Sequence, residues 1–75
     1  ISVFPNPSSG DVTITTTQPG SLSLNIVNVL GETITKSTVS FSTPLVLSNI
    51  KPGVYTLVFA GDKHIFIKKL MVTAN

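Results

Sequence analysis

The stretch VYTLVF, residues 54–59, decides the fold class of this 75-residue chain. Its side chains alternate with a period of two, so that Tyr55, Leu57 and Phe59 share one face of an extended strand. The other three residues of the stretch, at positions 54, 56 and 58, form the opposite face, and two of these are valines. Because both faces are largely apolar, we predict that this strand lies in the interior of a sheet.

Six further candidate strands lie between clusters of Gly, Pro and Asn, with weak alternation in residues 33–39, and no window has a helical period. The predicted strands cover residues 2–4, 11–16, 21–29, 33–39, 44–47, 54–59 and 64–72. This spacing predicts an all-β fold, a small seven-stranded antiparallel β-sandwich that is immunoglobulin-like in shape. We expect the polar segment 33–39 to be an edge strand, and residues 72–75 to fray unless something binds them.

Glycines and prolines mark the predicted turns. Residues 18–20 turn the chain after the second strand, and residues 30–32 form a tight hairpin in which Gly31 has a positive φ angle. The chain opens without an initiator Met or a leader peptide. We therefore expect residues 1–75 to be a single β-sandwich domain excised from a larger precursor.

The composition excludes several classes of function. The chain has no cysteine, so a disulfide framework is impossible. Its net charge of +2 comes from five scattered lysines against three acids, and these lysines do not form the clustered basic face of a nucleic-acid-binding protein. No window is long and apolar enough for a membrane helix, so we expect no membrane insertion.

The residues also argue against an enzyme. A hydrolytic triad needs a nucleophile, a base and an orienting acid, but His64 is the only histidine and belongs to the rim of a strand. Asp62 and His64 could touch one metal ion, although two ligands make at best a weak site. We therefore predict no catalytic residue, no metal site and no cofactor.

Carbohydrate binding is the main rival function, because small β-sandwiches often serve as sugar-binding modules. Such modules stack sugars on exposed aromatic rings, and here Phe41 is the only candidate platform. Tyr55 is predicted to lie in the core with its hydroxyl group at the rim. A carbohydrate-binding or adhesive module of an extracellular enzyme, or a structural spacer, therefore stays open as an alternative.

The chain opens with VFPNP, has a hairpin glycine after NVL, continues with GVY and closes with KKLMV. The order of these short motifs resembles the type A C-terminal sorting domain of the type IX secretion system of Gram-negative bacteria. The positions that match the family pattern are Pro5, Asn6, Pro7, Gly10, Gly31, Gly53, Tyr55, Lys68, Lys69 and Val72. The chain departs from the pattern in ending a few residues beyond the usual lysine-then-valine close.

The resemblance implies a non-catalytic export signal. In this family a seven-stranded sandwich follows an N-terminal cargo domain in the same precursor. The precursor passes through the periplasm and is recognised by an outer-membrane translocon and its shuttle proteins. A sortase-like cysteine protease then removes the sorting domain, and the cargo reaches the cell surface or the medium.

The closing strand is the part of the sequence in which we look for the receptor contact. Lys68 and Lys69 interrupt an apolar stretch, and a solvated pair at a strand edge is the simpler explanation for them. Under the resemblance we predict that Lys68, Lys69 and Val72 contact the receptor. The receptor would capture the exposed edge of this strand, and the lysines would steer the encounter with an acidic surface.

Overall fold

Seven β-strands account for the regular structure in the computed structural model, which describes residues 1–17 and 19–73. No helix occurs in these two ranges. The strands are β1 Ser2–Phe4, β2 Val12–Thr15, β3 Ser21–Val27, β4 Thr33–Ser40, β5 Leu45–Leu47, β6 Gly53–Ala60 and β7 Ile65–Val72. The seven predicted strands are therefore confirmed, with ends that differ by a few residues.

The strands form two antiparallel sheets. One has the order β1-β2-β5 and the other has the order β4-β3-β6-β7. The predicted antiparallel sandwich is confirmed, β6 is an interior strand, and the polar β4 is an edge strand, as the sequence indicated. The other edge of the larger sheet is β7.

The core lies between the sheets and is made of alternate residues from the strands. β3 contributes Leu22, Leu24 and Ile26, which are all buried while their neighbours are not. The buried apolar side chains of the other strands are Val12, Ile14, Val39, Tyr55, Leu57, Phe59, Leu70 and Val72. Burial of each large aliphatic or aromatic side chain stabilises the fold by about 1.5–3 kcal/mol.

The hairpin between β3 and β4 begins two residues earlier than predicted. Asn28 ends β3 because its side-chain Oδ1 accepts hydrogen bonds from the backbone N–H groups of Leu30 (2.9 Å) and Glu32 (3.0 Å). Gly31 has a φ angle of +85°, which confirms its predicted conformation. At the predicted turn of residues 18–20, Gly20 also has a positive φ angle, whereas Gln18 lies outside the described residues.

The strand register places the loops at two opposite ends of the sandwich. The distal end carries the segment 5–11, the hairpin 28–32 and the loop 48–52, since Gly53 pairs with Val72 and Ile50 N–H donates to Gly10 C=O. The proximal end carries Ile1, the segment 41–44 and the turn 61–64. The first residue of the domain therefore lies at the end opposite to its last described residues.

Candidate functional site: the seam between the opening segment and the last strand

The segment that follows β1 cannot continue as an ordinary strand. Pro5 and Pro7 have no backbone N–H group, so they cannot donate to a sheet. Both prolines and Asn6 are exposed, and the Phe4–Pro5 and Asn6–Pro7 peptide bonds are cis. The chain instead crosses from the smaller sheet to the open edge of β7 in the larger one.

The side chain of Asn6 takes the place of a peptide group along that edge. Its Nδ2 donates to the carbonyl oxygen of Lys69 at 2.9 Å, and its Oδ1 accepts from the backbone N–H of Met71 at 3.1 Å. An amide side chain carries both a donor and an acceptor, which is why asparagine can satisfy one free C=O and one free N–H together.

Two residues later the backbone itself pairs with β7. Ser8 N–H donates to Met71 C=O at 2.8 Å, and Thr73 N–H donates to Ser8 C=O at 2.7 Å. This is a single parallel bridge between Ser8 and Val72. We call the contact of Asn6 and Ser8 with residues 69–73 the terminal seam.

A buried serine holds the terminal seam against the body of the domain. Only 2% of the Ser8 surface is exposed, and its Oγ donates to Asp11 C=O at 2.6 Å and accepts from Gly10 N–H at 3.0 Å. Gly10 has a φ angle of +126°, and a Cβ there would lie 3.4 Å from the carbonyl oxygen of Ile50. The positive φ angle therefore favours glycine at this position, whereas a Cβ would only reach van der Waals contact with Ile50.

The terminal seam bears on the expectation that residues 72–75 fray unless something binds them. Val72 is only 3% exposed and belongs to β7, and Thr73 is held by Ser8 through its backbone and its Oγ1. Val72 and Thr73 are therefore bound, which is the condition under which no fraying is expected. The opening segment is what binds them. Ala74 and Asn75 lie outside the described residues.

The two lysines of β7 lie at the edge of the larger sheet. Lys68 is opposite Leu57 of β6 and Lys69 is opposite Thr56, so they occupy opposite faces of the strand, and both are exposed. The carbonyl of Lys69 belongs to the terminal seam, whereas its charged group is in solvent. Val72 contributes its side chain to the core, and its role in recognition stays a prediction together with that of the lysines.

The remaining motif residues stabilise loops around the same end. Tyr55 is 7% exposed and its hydroxyl donates to Lys51 C=O at 2.6 Å, which confirms a core ring with its polar end at the rim. Gly53 has a φ angle of +155° and lies against that ring, with an ideal Cβ 3.5 Å from the Tyr55 oxygen. Gly31 turns the β3–β4 hairpin.

The other side chains weighed in the sequence do not come together. Asp62 and His64 are exposed at the proximal end, and the described residues contain no group of three or more His, Asp or Glu that could hold a metal ion. Phe41 is 53% exposed as expected, and Phe4 at 49% is a second exposed ring that the sequence did not single out. Phe4 lies towards the distal end and Phe41 at the proximal end, so they do not form a row for stacking sugars.

Within residues 1–17 and 19–73, none of the chain forms a helix of the length and apolarity that a membrane crossing requires.

The seam is not evident from the sequence, because its side-chain contacts join residues 63 to 65 positions apart. One signal was available. An asparagine between two prolines sits in a backbone that lacks two donors, so its side chain is the natural source of a hydrogen bond there.

The fold and the terminal seam define the class of the protein: a small all-β sandwich domain whose opening segment is bound to its last strand. The family described as the secretion system C-terminal sorting domain matches this chain over residues 2–73, and the chain belongs to that family. It is a C-terminal sorting domain of type IX secretion, a family of export signals that is not a known enzyme family. No curated protein matches the sequence.

Proposed function

We propose that residues 1–75 form a single, non-catalytic address domain that follows its cargo in a larger precursor. The domain directs this cargo from the periplasm across the outer membrane to the cell surface or the medium. A sortase-like cysteine protease then removes the domain. The observation that carries the proposal is the match to the sorting-domain family over nearly the whole chain, residues 2–73.

The rigidity of the domain surface is the physical support for an address function. A recognition domain needs a surface that is ordered before binding, because ordering it during binding lowers the affinity. The terminal seam joins the opening motif to the closing motif through five hydrogen bonds to β7 and its end. The translocon and its shuttle proteins would therefore meet both motifs in one fixed arrangement.

The receptor contact that we propose lies on β7 and includes Lys68 and Lys69. The terminal seam limits the part of this edge to which a partner strand could add, because it already occupies the Lys69 carbonyl and both backbone groups of Met71. Along a strand, the backbone N–H and C=O groups of successive residues point to alternate sides. Those of Ile65 and Ile67 therefore face the same edge as those of Met71. They have no partner among the described residues, and a receptor strand would pair there with the lysines beside it.

A transplant tests the address function. The whole chain, with an upstream linker, is fused to the C-terminus of a periplasmic reporter in a bacterium that has the type IX machinery. We expect reporter at the surface and in the medium, and retention in the periplasm in a strain that lacks the translocon. Retention in both strains, with short and long linkers, would contradict the proposal.

The lysine contact is tested in the same fusion. The double variant Lys68→Ala, Lys69→Ala should lower export, because it removes both charges without touching a buried side chain. Lys36→Ala is the matched control, since Lys36 is an exposed lysine in the middle of the opposite edge strand β4. Normal export of the double variant would show that the lysines are only a solvated pair.

A further inference from the structure

The tip of the β3–β4 hairpin exposes two adjacent apolar side chains. Val29 is 79% exposed and Leu30 is 80% exposed, more than any other large hydrophobic residue that the structure describes. Single exposed apolar residues are common on protein surfaces and need no explanation. Here two of them are consecutive, and both lie in a hairpin loop, where polar residues are usual.

The loop that carries them is held by hydrogen bonds on both sides. Asn28 Oδ1 accepts from the N–H groups of Leu30 and Glu32, and Asn28 Nδ2 donates to Glu32 Oε1 at 3.2 Å. In the backbone, Asn28 N–H donates to Glu32 C=O at 2.9 Å and Gly31 N–H donates to Asn28 C=O at 3.0 Å. The tip is thus ordered before any partner arrives, which lowers the entropy cost of binding.

The position of the hairpin tip indicates that the cargo of a precursor does not cover it. Under the proposed function, on which this inference rests, the cargo joins the chain ahead of Ile1. Ile1 is at the proximal end, whereas the hairpin 28–32 is at the distal end, which also carries the terminal seam. Val29 and Leu30 therefore point away from the side on which the cargo enters.

The charges at the tip distinguish between a lipid surface and a protein. Residues 28–32 contain one acid, Glu32, and no lysine. Segments that bind bacterial or other anionic membranes carry several Lys or Arg residues around their apolar residues. Residues 28–32 carry none, and Lys51, which lines the same cleft as Asn28, is offset by Glu32. A small protein pocket fits better, since two side chains can fill it and a basic group at its rim can meet the Glu32 carboxylate.

We propose that Val29 and Leu30 are an anchor that inserts into an apolar pocket, with a basic residue at its rim, on a protein of the export machinery. The hairpin tip and the β7 edge are then separate contacts of one sorting domain. Export should depend on the tip even when both lysines and the seam are intact.

The experiment uses the reporter fusion with the double variant Val29→Ser, Leu30→Ser. Both side chains are in solvent, so the melting temperature should stay close to that of the wild type, and export should fall by about tenfold, the loss typical of one interface anchor. Phe41→Ser is the matched control, an exposed apolar loop residue at the proximal end, and should export normally. Asn28→Ala keeps both apolar side chains but loosens the loop, and should give a smaller loss.

The outcomes separate this inference from the proposed function. If the wild type is exported and the double variant is exported equally well, the anchor is wrong and the address function stands. If the wild type stays in the periplasm, the address function fails and the anchor with it.

Binding of the wild type, but not the double variant, to vesicles of phosphatidylethanolamine and phosphatidylglycerol would identify a lipid occupant. Tip-dependent dimerisation in a concentration series would identify a second copy. Either result would contradict the proposal that the tip inserts into a pocket on a protein of the export machinery.

Discussion

The two halves of β7 solve the problem of an open sheet edge differently. From Lys69 onwards, the edge is covered by the side chain of Asn6 and the backbone of Ser8. Before Lys69, the edge is open and carries Ile65 at 70% exposure and Ile67 at 64%. Exposed apolar edges invite pairing with other chains, and natural proteins usually cover or charge them.

This comparison shows that one strand can have half of its edge covered by the chain itself and the other half open to a partner. The covered half ties the last described residues of the chain to its opening segment, so the fold depends on it. The open half contributes little to the core from its outer face, so it is free to serve recognition. Substitutions along β7 and the opening segment should therefore separate stability from export.

The largest effect on stability is expected from the core side of the covered half. Leu70 is fully buried between the sheets, and Leu70→Ala should lower the free energy of unfolding by about 2–5 kcal/mol through lost burial and a cavity. Urea denaturation followed by circular dichroism measures it. Met71→Ala is the neighbouring control on the half-exposed face and should cost clearly less. Equal losses would mean that the two faces of β7 are not distinguished.

A smaller effect is expected where the opening segment is anchored. Ser8→Ala removes a buried hydroxyl and leaves the Asp11 carbonyl and the Gly10 N–H without that partner. We expect a loss of about 1–3 kcal/mol in the free energy of unfolding. Ser9→Ala, at an exposed neighbour, should stay within about 0.5 kcal/mol of the wild type. A neutral Ser8→Ala would show that the anchor does not support the seam.

The amide of Asn6 should have a local effect. Asn6→Ala removes two exposed hydrogen bonds to β7, with an expected cost of about 0.5–1.5 kcal/mol. Hydrogen exchange is the sharper measurement, because the Met71 amide should exchange faster in the variant. The Leu70 amide, which faces the β6 side, serves as the internal control. Unchanged protection of Met71 would contradict the pairing seen at the seam.

The sequence predicted the parts of the fold that follow from local alternation. The run of residues 54–59 indicated an interior strand with Tyr55, Leu57 and Phe59 in the core, and the structure confirms both. Alternation alone extended β3 to residue 29. The strand ends at Val27 because the Asn28 side chain competes for backbone N–H groups, which a period of two does not register.

The candidate site was predictable only in part. The motifs around Pro5 and Lys68 were recognised as segments, and both lysines are exposed. The contact between the two segments was not predicted, because it depends on how two sheets stack and joins residues 65 positions apart. For the same reason the sequence does not show what binds the end of the chain, which in the structure is Ser8 at Thr73. The exposed pair at the hairpin tip was also passed over, since alternation assigned Val29 to a strand.

The smallest effect on stability is expected on the open half of β7. Ile67→Thr keeps a β-branched side chain suited to a strand, and it removes apolar surface that is already mostly in water. The free energy of unfolding should therefore change by less than about 0.5 kcal/mol. If β7 is the receptor edge, export of the reporter should nonetheless fall, because a partner strand would lose an apolar contact beside its pairing site. A destabilisation as large as that of Ser8→Ala would place Ile67 in the structural half of the strand and remove the basis for the comparison.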